Sequence, residues 1–289
     1  MMIETDNVKI GGLNKLKYAI IGYPVAHSLS PEMHEAGFKT AGIDATYERI
    51  TIHPLELTAG ISDLKANHFN GFNVTYPLKE KIIPFLDGLT SEAQAIGAVN
   101  TVKIENGLLY GHNTDGQGFV EALRRQDFDF NSKKVVILGA GGAAKAIAVS
   151  LACLNVYLLI LNRTSEKAAA LAEQVNLLGG KASGDILAPG TWLESVDLLV
   201  QTTSVGMKSE PYLFDLQGIN PAAWAVDLIY NPAVTSLLSN AALHGCRTFN
   251  GLDMLLFQGV LAWDFWFGVK APVDSMRKAL VDKLSVCSE

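Results

Sequence analysis

Cysteine is scarce in this chain: three residues in 289, Cys153, Cys246 and Cys287, odd in number and without a C-x-x-C pair. That spacing argues against a disulfide framework and supplies no zinc motif, and it fits a reducing, cytoplasmic compartment. The six histidines show no H-E-x-x-H or comparable ligand spacing. Pro31, between His27 and His34, works against one helix bearing both, so no metal is expected. A basic excess is missing too. The formal net charge is −6, which argues against a nucleic-acid surface and leaves only local basic pockets for an anionic ligand. Apolar runs of membrane-spanning length are also wanting. Residues 135–161 are cut by a glycine cluster, Lys145 and Asn155, and residues 254–267 by Gln258 and Asp264. The N-terminal stretch MMIETDNVKIGGLNKLK lacks the apolar core of a secretory signal and reads as an extension.

What is present is a well-buried composition, 49% hydrophobic and 18% charged, in a chain long enough for two domains of roughly 100–150 residues each. Its strongest local signal is VVILGAGGAAKAIA at 135–148, an apolar strand turning on glycines into a helix. Gly139, Gly141 and Ala144 give the spacing G-x-G-x-x-A. The first makes a tight turn, the second lets backbone approach a pyrophosphate, and the third lets helix pack close on strand. The helix N-terminus then offers free N–H donors to phosphate. Glycine turns of this kind also serve packing alone.

The first half alternates strands and helices. A strand over 17–22 leads through HSLSPEMH to a helix from about Pro31, with Ser30 placed to cap it. Ser28 and Ser30 flank one residue after a strand end, so both hydroxyls can face one pocket, or can serve only as turn and cap. Residues 45–52 alternate as a strand, and 54–65 read as a helix with Leu55, Ile61 and Leu64 inward. In GFNVTYPLKEKI, Thr75 ends a strand and Lys79 starts a helix beyond Pro77; Lys79 is either a site residue or part of a solvated charge run. Asn100 lies at a turn or strand start, Asn106-Gly107 marks a hairpin, and Asp115 opens a helix from Gly116, where an acid is favoured by the dipole alone.

In the second half, VYLLIL at 156–161 is the second strand of a βαβ unit, ending at Asn162-Arg163-Thr164. An acid at this strand end commonly holds the ribose of NAD. Here there is none, and Arg163 with Lys167 suits the extra phosphate of NADP, unless Glu166 neutralises either cation. Strands over 196–202 and 223–229 end at TSVGM and YNP and open their loops onto the same crevice, which brings Tyr230 toward it. A helix from Met254 follows, with Leu255, Leu256, Leu261 and Phe265 apolar and Gln258 set among them; a final helix spans 274–285. A lone glutamine there is explained as well by a structural hydrogen bond as by a ligand.

Taken together, GYPVAHSLSPEMH, GFNVTYPLKEKI, IGAVNT, NTDGQG, GAGGAAKA, NRTSEKA, TSVGM, DLIYNP and GLDMLLFQ resemble the shikimate dehydrogenase family in order and spacing, from about Lys17 to Phe267. The resemblance implies an α/β fold with an N-terminal substrate domain, residues 1–115 completed by 253–289, and a C-terminal Rossmann-like NADP-binding domain, residues 116–252. It implies Lys79 and Asp115 as the catalytic pair. Ser28 and Ser30 would bind the substrate carboxylate, Thr75, Asn100 and Gln258 its hydroxyls, and Tyr230 would help close the site. Gly139, Ala140, Gly141, Gly142, Ala143 and Ala144 would hold the pyrophosphate of NADP. Asn162, Arg163, Thr164 and Lys167 would hold its 2′-phosphate end, and Leu228 and Gly251 the nicotinamide side. Two positions depart from the family's usual pattern. Gln201 stands where asparagine is frequent, leaving the geometry of the loop beside the nicotinamide open. Lys167 stands for a common arginine, a point charge in place of a fork, which weakens the NADP preference without reversing it. The expected activity is reversible NADPH-dependent reduction of 3-dehydroshikimate to shikimate in a cytoplasmic monomer or homodimer, with no nucleic-acid or membrane partner. The alternatives are a quinate/shikimate dehydrogenase using NAD or NADP and, on the same fold, a non-catalytic NADP-binding sensor.

Overall fold

Two runs of buried, β-rich sequence build two separate sheets, joined by one helix and closed by two more. The computed structural model describes residues 15–208, 210–212 and 214–286; the expected N-terminal extension and Cys287 lie outside them. Strand β1 (Leu16–Gly22) is followed by α1 (Ser30–Ala41), β2 (Ala45–Thr51), α2 (Leu57–Ala66), β3 (Gly71–Val74), β4 (Gly88–Leu89), α3 (Ser91–Ile96), β5 (Thr101–Glu105) and β6 (Leu108–His112). These strands form a mixed sheet in the order β2-β1-β3-β5-β6-β4. The Asn106-Gly107 hairpin joins β5 and β6 as its sequence predicts, with both residues at positive φ.

Helix α4 (Asp115–Arg124) crosses to the second sheet. There follow β7 (Lys134–Leu138), α5 (Gly142–Ala152), β8 (Tyr157–Asn162), α6 (Ser165–Leu177), β9 (Lys181–Ile186), β10 (Leu198–Gln201), β11 (Trp224–Asp227), α7 (Ser236–Leu243) and β12 (Arg247–Phe249). Their order, β12-β11-β10-β7-β8-β9, is doubly wound, with every pairing parallel. The direction of winding reverses between β7 and β10, so the glycine turn after β7 and the loop after β10 flank the crevice where such sheets bind ligands. The last helices, α8 (Leu252–Phe267) and α9 (Val273–Val286), return to the first sheet. Trp263, Trp266, Met276 and Leu280 share a core there with Tyr18, Met33 and Phe38. Helix α4 packs tightly on both sides. A β-carbon on Gly116 would lie 2.2 Å from the Ala146 carbonyl oxygen of α5, and one on Gly118 would lie 2.6 Å from the Gln258 nitrogen of α8.

Three local expectations are corrected. Residues 54–56 form a single 3₁₀ turn ahead of α2, so the helical phase starts later; Leu57 takes the inward position and Leu55 is 89% exposed. Ser30 is the first residue of α1, the N-cap position falls on Leu29 and no side chain caps the helix; Ser28 Oγ accepts from the Ser30 backbone N–H at 3.3 Å. Lys79 lies in a turn, since the chain after Pro77 closes in successive turns and a 3₁₀ segment and never reaches an α-helix.

Candidate active site

The C-terminal ends of β3 and β6 and the first turn of α4 converge on a buried polar cluster. The Lys79 turn is pinned by its own carbonyl, which accepts from the Val99 N–H at 2.8 Å. From there Lys79 Nζ donates to Asp115 Oδ2 at 2.6 Å. Asp115 stands in the first turn of α4, its backbone N–H bonded to Asn113 Oδ1 at 3.1 Å. The pair is mostly buried, with side-chain exposures of 19% and 7%. A buried ion pair of this kind stays charged only when its other lone pairs are met. Asn100 does this: its Nδ2 donates to Asp115 Oδ1 at 2.8 Å and points also toward Gln258 Oε1 at 3.4 Å. Gln258 is in turn oriented by its donation to the Leu255 carbonyl at 2.8 Å. The structure therefore brings Lys79, Asp115, Asn100 and Gln258 together from four separate stretches of sequence.

Ser28 and Ser30 form a second group, with Ser28 Oγ donating to Ser30 Oγ at 3.2 Å. Their loop is braced by Arg49, whose Nε donates to the Ser28 carbonyl at 2.9 Å while its guanidinium pairs with Glu32. Burial alone would raise the Glu32 carboxyl; the Arg49 hydrogen bond, a backbone hydrogen bond and the charges of Arg49 and Lys283 together outweigh it and hold the group below its ordinary value. Tyr230 reaches across from the second sheet to the Leu29 backbone beside Arg49 and is partly buried, and desolvation raises its hydroxyl. Thr75 sits at the end of β3, its N–H held by the Ile21 carbonyl at 2.9 Å, and its methyl fills the space that Gly22 leaves.

The glycine turn fits a dinucleotide. Gly139 has φ +116° and no room for a β-carbon, which would meet Thr202 Oγ1 at 2.5 Å. Gly141 caps α5, and a β-carbon there would meet nothing within 4 Å: this is open space over a helix N-terminus, where a pyrophosphate would lie. At Gly142 the nearest neighbour is Lys79, 3.6 Å from the β-carbon position to Cδ, so the turn borders the Lys79–Asp115 pair. Ala140 and Ala144 are buried against the sheet, and Ala143 is half-buried. At the end of β8, Asn162 Nδ2 donates to the Thr164 carbonyl at 3.0 Å. Among the described residues neither Arg163 nor Lys167 forms an ion pair, and Glu166 neutralises neither. The Leu228 carbonyl lies where a β-carbon on Gly251 would be 1.9 Å away, so these two segments touch backbone to backbone. Gln201 is fully buried and holds the loop after β10, accepting from the Thr203 N–H at 3.1 Å. No group of three or more His, Cys, Asp or Glu among the described residues could hold a metal, and no helix among them is long and apolar enough to cross a membrane.

Reading the sequence missed Tyr47, Asn73 and Thr101, which lie buried behind this cluster. Asn73 carried the one available signal, an amide inside the otherwise apolar strand GFNV.

Three family models match the chain in succession. They describe the shikimate dehydrogenase substrate binding domain over residues 20–102, shikimate / quinate 5-dehydrogenase over 121–205 and the shikimate 5′-dehydrogenase C-terminal domain over 251–281. The shikimate dehydrogenase (NADP(+)) of Desulfitobacterium hafniense is 51% identical over 269 residues, covering 93% of this chain and 98% of that protein. The chain belongs to the shikimate dehydrogenase family. Among solved structures of this family, the Thermus thermophilus shikimate 5-dehydrogenase in complex with NADP(H) and shikimate is 36% identical. It superposes with a TM-score of 0.83 over 92% of this chain and 99% of that one. A quinate dehydrogenase from Corynebacterium glutamicum in complex with NAD is 31% identical, with a TM-score of 0.84 over 93% and 99%.

Proposed function

We propose that this chain catalyses the reversible reduction of 3-dehydroshikimate to shikimate with NADPH. The observation that carries the reading is the 2.6 Å contact between Lys79 and Asp115 at the border of the glycine turn. NADPH supplies a hydride from its nicotinamide when bound. Reduction of a ring ketone also needs a proton at the carbonyl oxygen, from a donor within hydrogen-bond reach. The Lys79 ammonium is that donor and stabilises the developing alkoxide, while Asp115 holds the ammonium in position. Ser28 and Ser30 take the substrate carboxylate, Thr75, Asn100 and Gln258 its hydroxyls, and Tyr230 closes the site. Gly139, Ala140, Gly141, Gly142, Ala143 and Ala144 cradle the pyrophosphate, Asn162, Arg163, Thr164 and Lys167 the 2′-phosphate, and Leu228 and Gly251 border the nicotinamide. Residues 1–115 with 253–289 form the substrate domain, and 116–252 the NADP domain. The protein works in the cytoplasm as a monomer or homodimer.

A second reading, oxidation of quinate with NAD or NADP, turns on the carboxylate end of the site, where quinate carries an additional hydroxyl; two serines there, rather than a bulkier second residue, leave the choice open and slightly favour shikimate. Arg163 and Lys167 at the end of β8, which form no ion pair among the described residues, favour NADP over NAD. Steady-state rates for shikimate and quinate, each with NADP and NAD, separate the readings. Shikimate with NADP is expected to give the highest kcat/KM by at least about tenfold. Equal or better turnover of quinate would establish the second reading, and NADP binding without turnover of either would establish a sensor.

A further inference from the structure

Behind the site, a chain of buried hydrogen bonds runs in one direction from β2 to the Lys79–Asp115 pair. Its polarity follows from groups that have no choice of role. The Asn100 backbone carbonyl can only accept, so the Asn73 amide must turn its NH₂ toward it, at 3.1 Å. That leaves Asn73 Oδ1 facing the Tyr47 hydroxyl at 2.6 Å, and Tyr47 must donate. At the other end the Asp115 carboxylate accepts from Asn100 Nδ2 at 2.8 Å, so Asn100 Oδ1 faces the Thr114 N–H, also at 2.8 Å. Thr101 Oγ1 then donates to Asn100 Oδ1 at 3.0 Å and is free to accept from Asn73 Nδ2 at 2.9 Å. Tyr47, Asn73, Thr101 and Asn100 are at most 4% exposed, so no solvent molecule competes for any link.

The Tyr47 ring is held as firmly as its hydroxyl. The His34 imidazole stacks on it at 4.7 Å between centroids and 8° between planes. Trp266 packs at 6.4 Å. Ser30 of the serine pair lies beside the same hydroxyl.

We propose that Tyr47 is a positioning residue for this reaction: by donating to Asn73 it fixes, through Thr101, the amide of Asn100 that orients Asp115 and so Lys79. This rests on the functional reading above. Without the hydroxyl, Asn73 Oδ1 is left buried and unpaired, and the amide is free to abandon Thr101 in search of a donor. The same hydroxyl neighbours Ser30, so this chain of bonds begins beside the serine pair and ends at Asp115.

The test is a double-variant cycle in shikimate oxidation, with rates expressed per NADPH-binding site so that misfolded protein does not count. Tyr47→Phe keeps the ring stack and removes one oxygen. It is expected to lower kcat about tenfold while the KM for NADP stays within about twofold. In an Asn73→Ala background, or in Thr101→Val should the first not fold, Tyr47→Phe is expected to have no further effect on kcat. A Tyr47→Phe rate within about twofold of the unaltered protein, or effects that simply multiply, would overturn the relay while leaving the activity established. Absence of shikimate turnover in the unaltered protein would overturn the functional reading, and the relay with it.

Discussion

Single groups at the site separate charge from geometry. Lys79→Ala is expected to lower kcat by at least ~10²-fold with NADPH affinity little changed, because the proposed role of the ammonium is at the reacting oxygen and only its alkyl chain borders the glycine turn. Single-turnover kinetics beside NADPH titration checks this. Asp227, at the end of β11, predicts a pH effect. Burial raises its carboxyl from 3.8 to about 6, against hydrogen bonds from Thr235 and the Ile229 N–H. The folded chain thus holds this proton more tightly than the unfolded chain. The stability gained from protonation is full below the unfolded value and is lost as pH rises through about 6. Asp227→Asn carries no such charge, so its melting temperature relative to the unaltered protein is expected to be higher at about pH 8 than at about pH 4. Thermal melts at the two pH values decide it. These residues differ in how far their sequence speaks for them. Lys79 and Asp115 lie 36 positions apart and each has an ordinary explanation as surface lysine or helix-start acid. Only the meeting of their side chains makes them a pair.

Among elements, the glycine turn and α4 make opposite use of glycine. Gly141 faces open space, so Gly141→Ala is expected to leave the melting temperature nearly unchanged and to raise the KM for NADPH at least about tenfold by filling the pyrophosphate cradle. Gly116 faces the Ala146 carbonyl at 2.2 Å, so Gly116→Ala is expected to force α4 from α5. That costs roughly 1–3 kcal/mol, read as a fall in melting temperature with KM for NADPH less affected. The G-x-G-x-x-A turn was legible because its function needs a local backbone shape that few residues allow. The 3₁₀ turn at 54–56 and the non-helical path around Lys79 were not legible, because apolar spacing does not reveal where a helix's phase begins. Gln201 illustrates the reverse case: an apparent departure from the family pattern, it reaches the Thr203 N–H and holds its loop.

At the scale of the molecule, the two sheets are brought together by few polar bonds. Lys145 of α5 pairs with Glu80, next to Lys79, at 3.0 Å, and Gln174 of α6 donates to the Ala95 carbonyl at 2.6 Å. Ile96, Ala98 and Ala146 form a small buried apolar contact between them. The Glu80–Lys145 pair is partly exposed, 52% at the glutamate, where such pairs contribute about 0.2–1 kcal/mol. Glu80→Gln is therefore expected to lower kcat/KM by less than about fivefold, a difference that shrinks in high salt. A larger loss that persists in salt would show that this contact governs how the glycine turn meets Lys79.

The sequence by itself determined the α/β architecture, the dinucleotide turn, the basic end of β8 and the family, because each rests on local backbone chemistry or on ordered motifs. Tertiary structure alone decided that Lys79, Asp115, Asn100 and Gln258 share one buried cluster, and that Tyr47, Asn73 and Thr101 stand behind it. Those contacts join residues tens to hundreds of positions apart, and the donor and acceptor roles along them follow only once burial has removed water as the alternative partner.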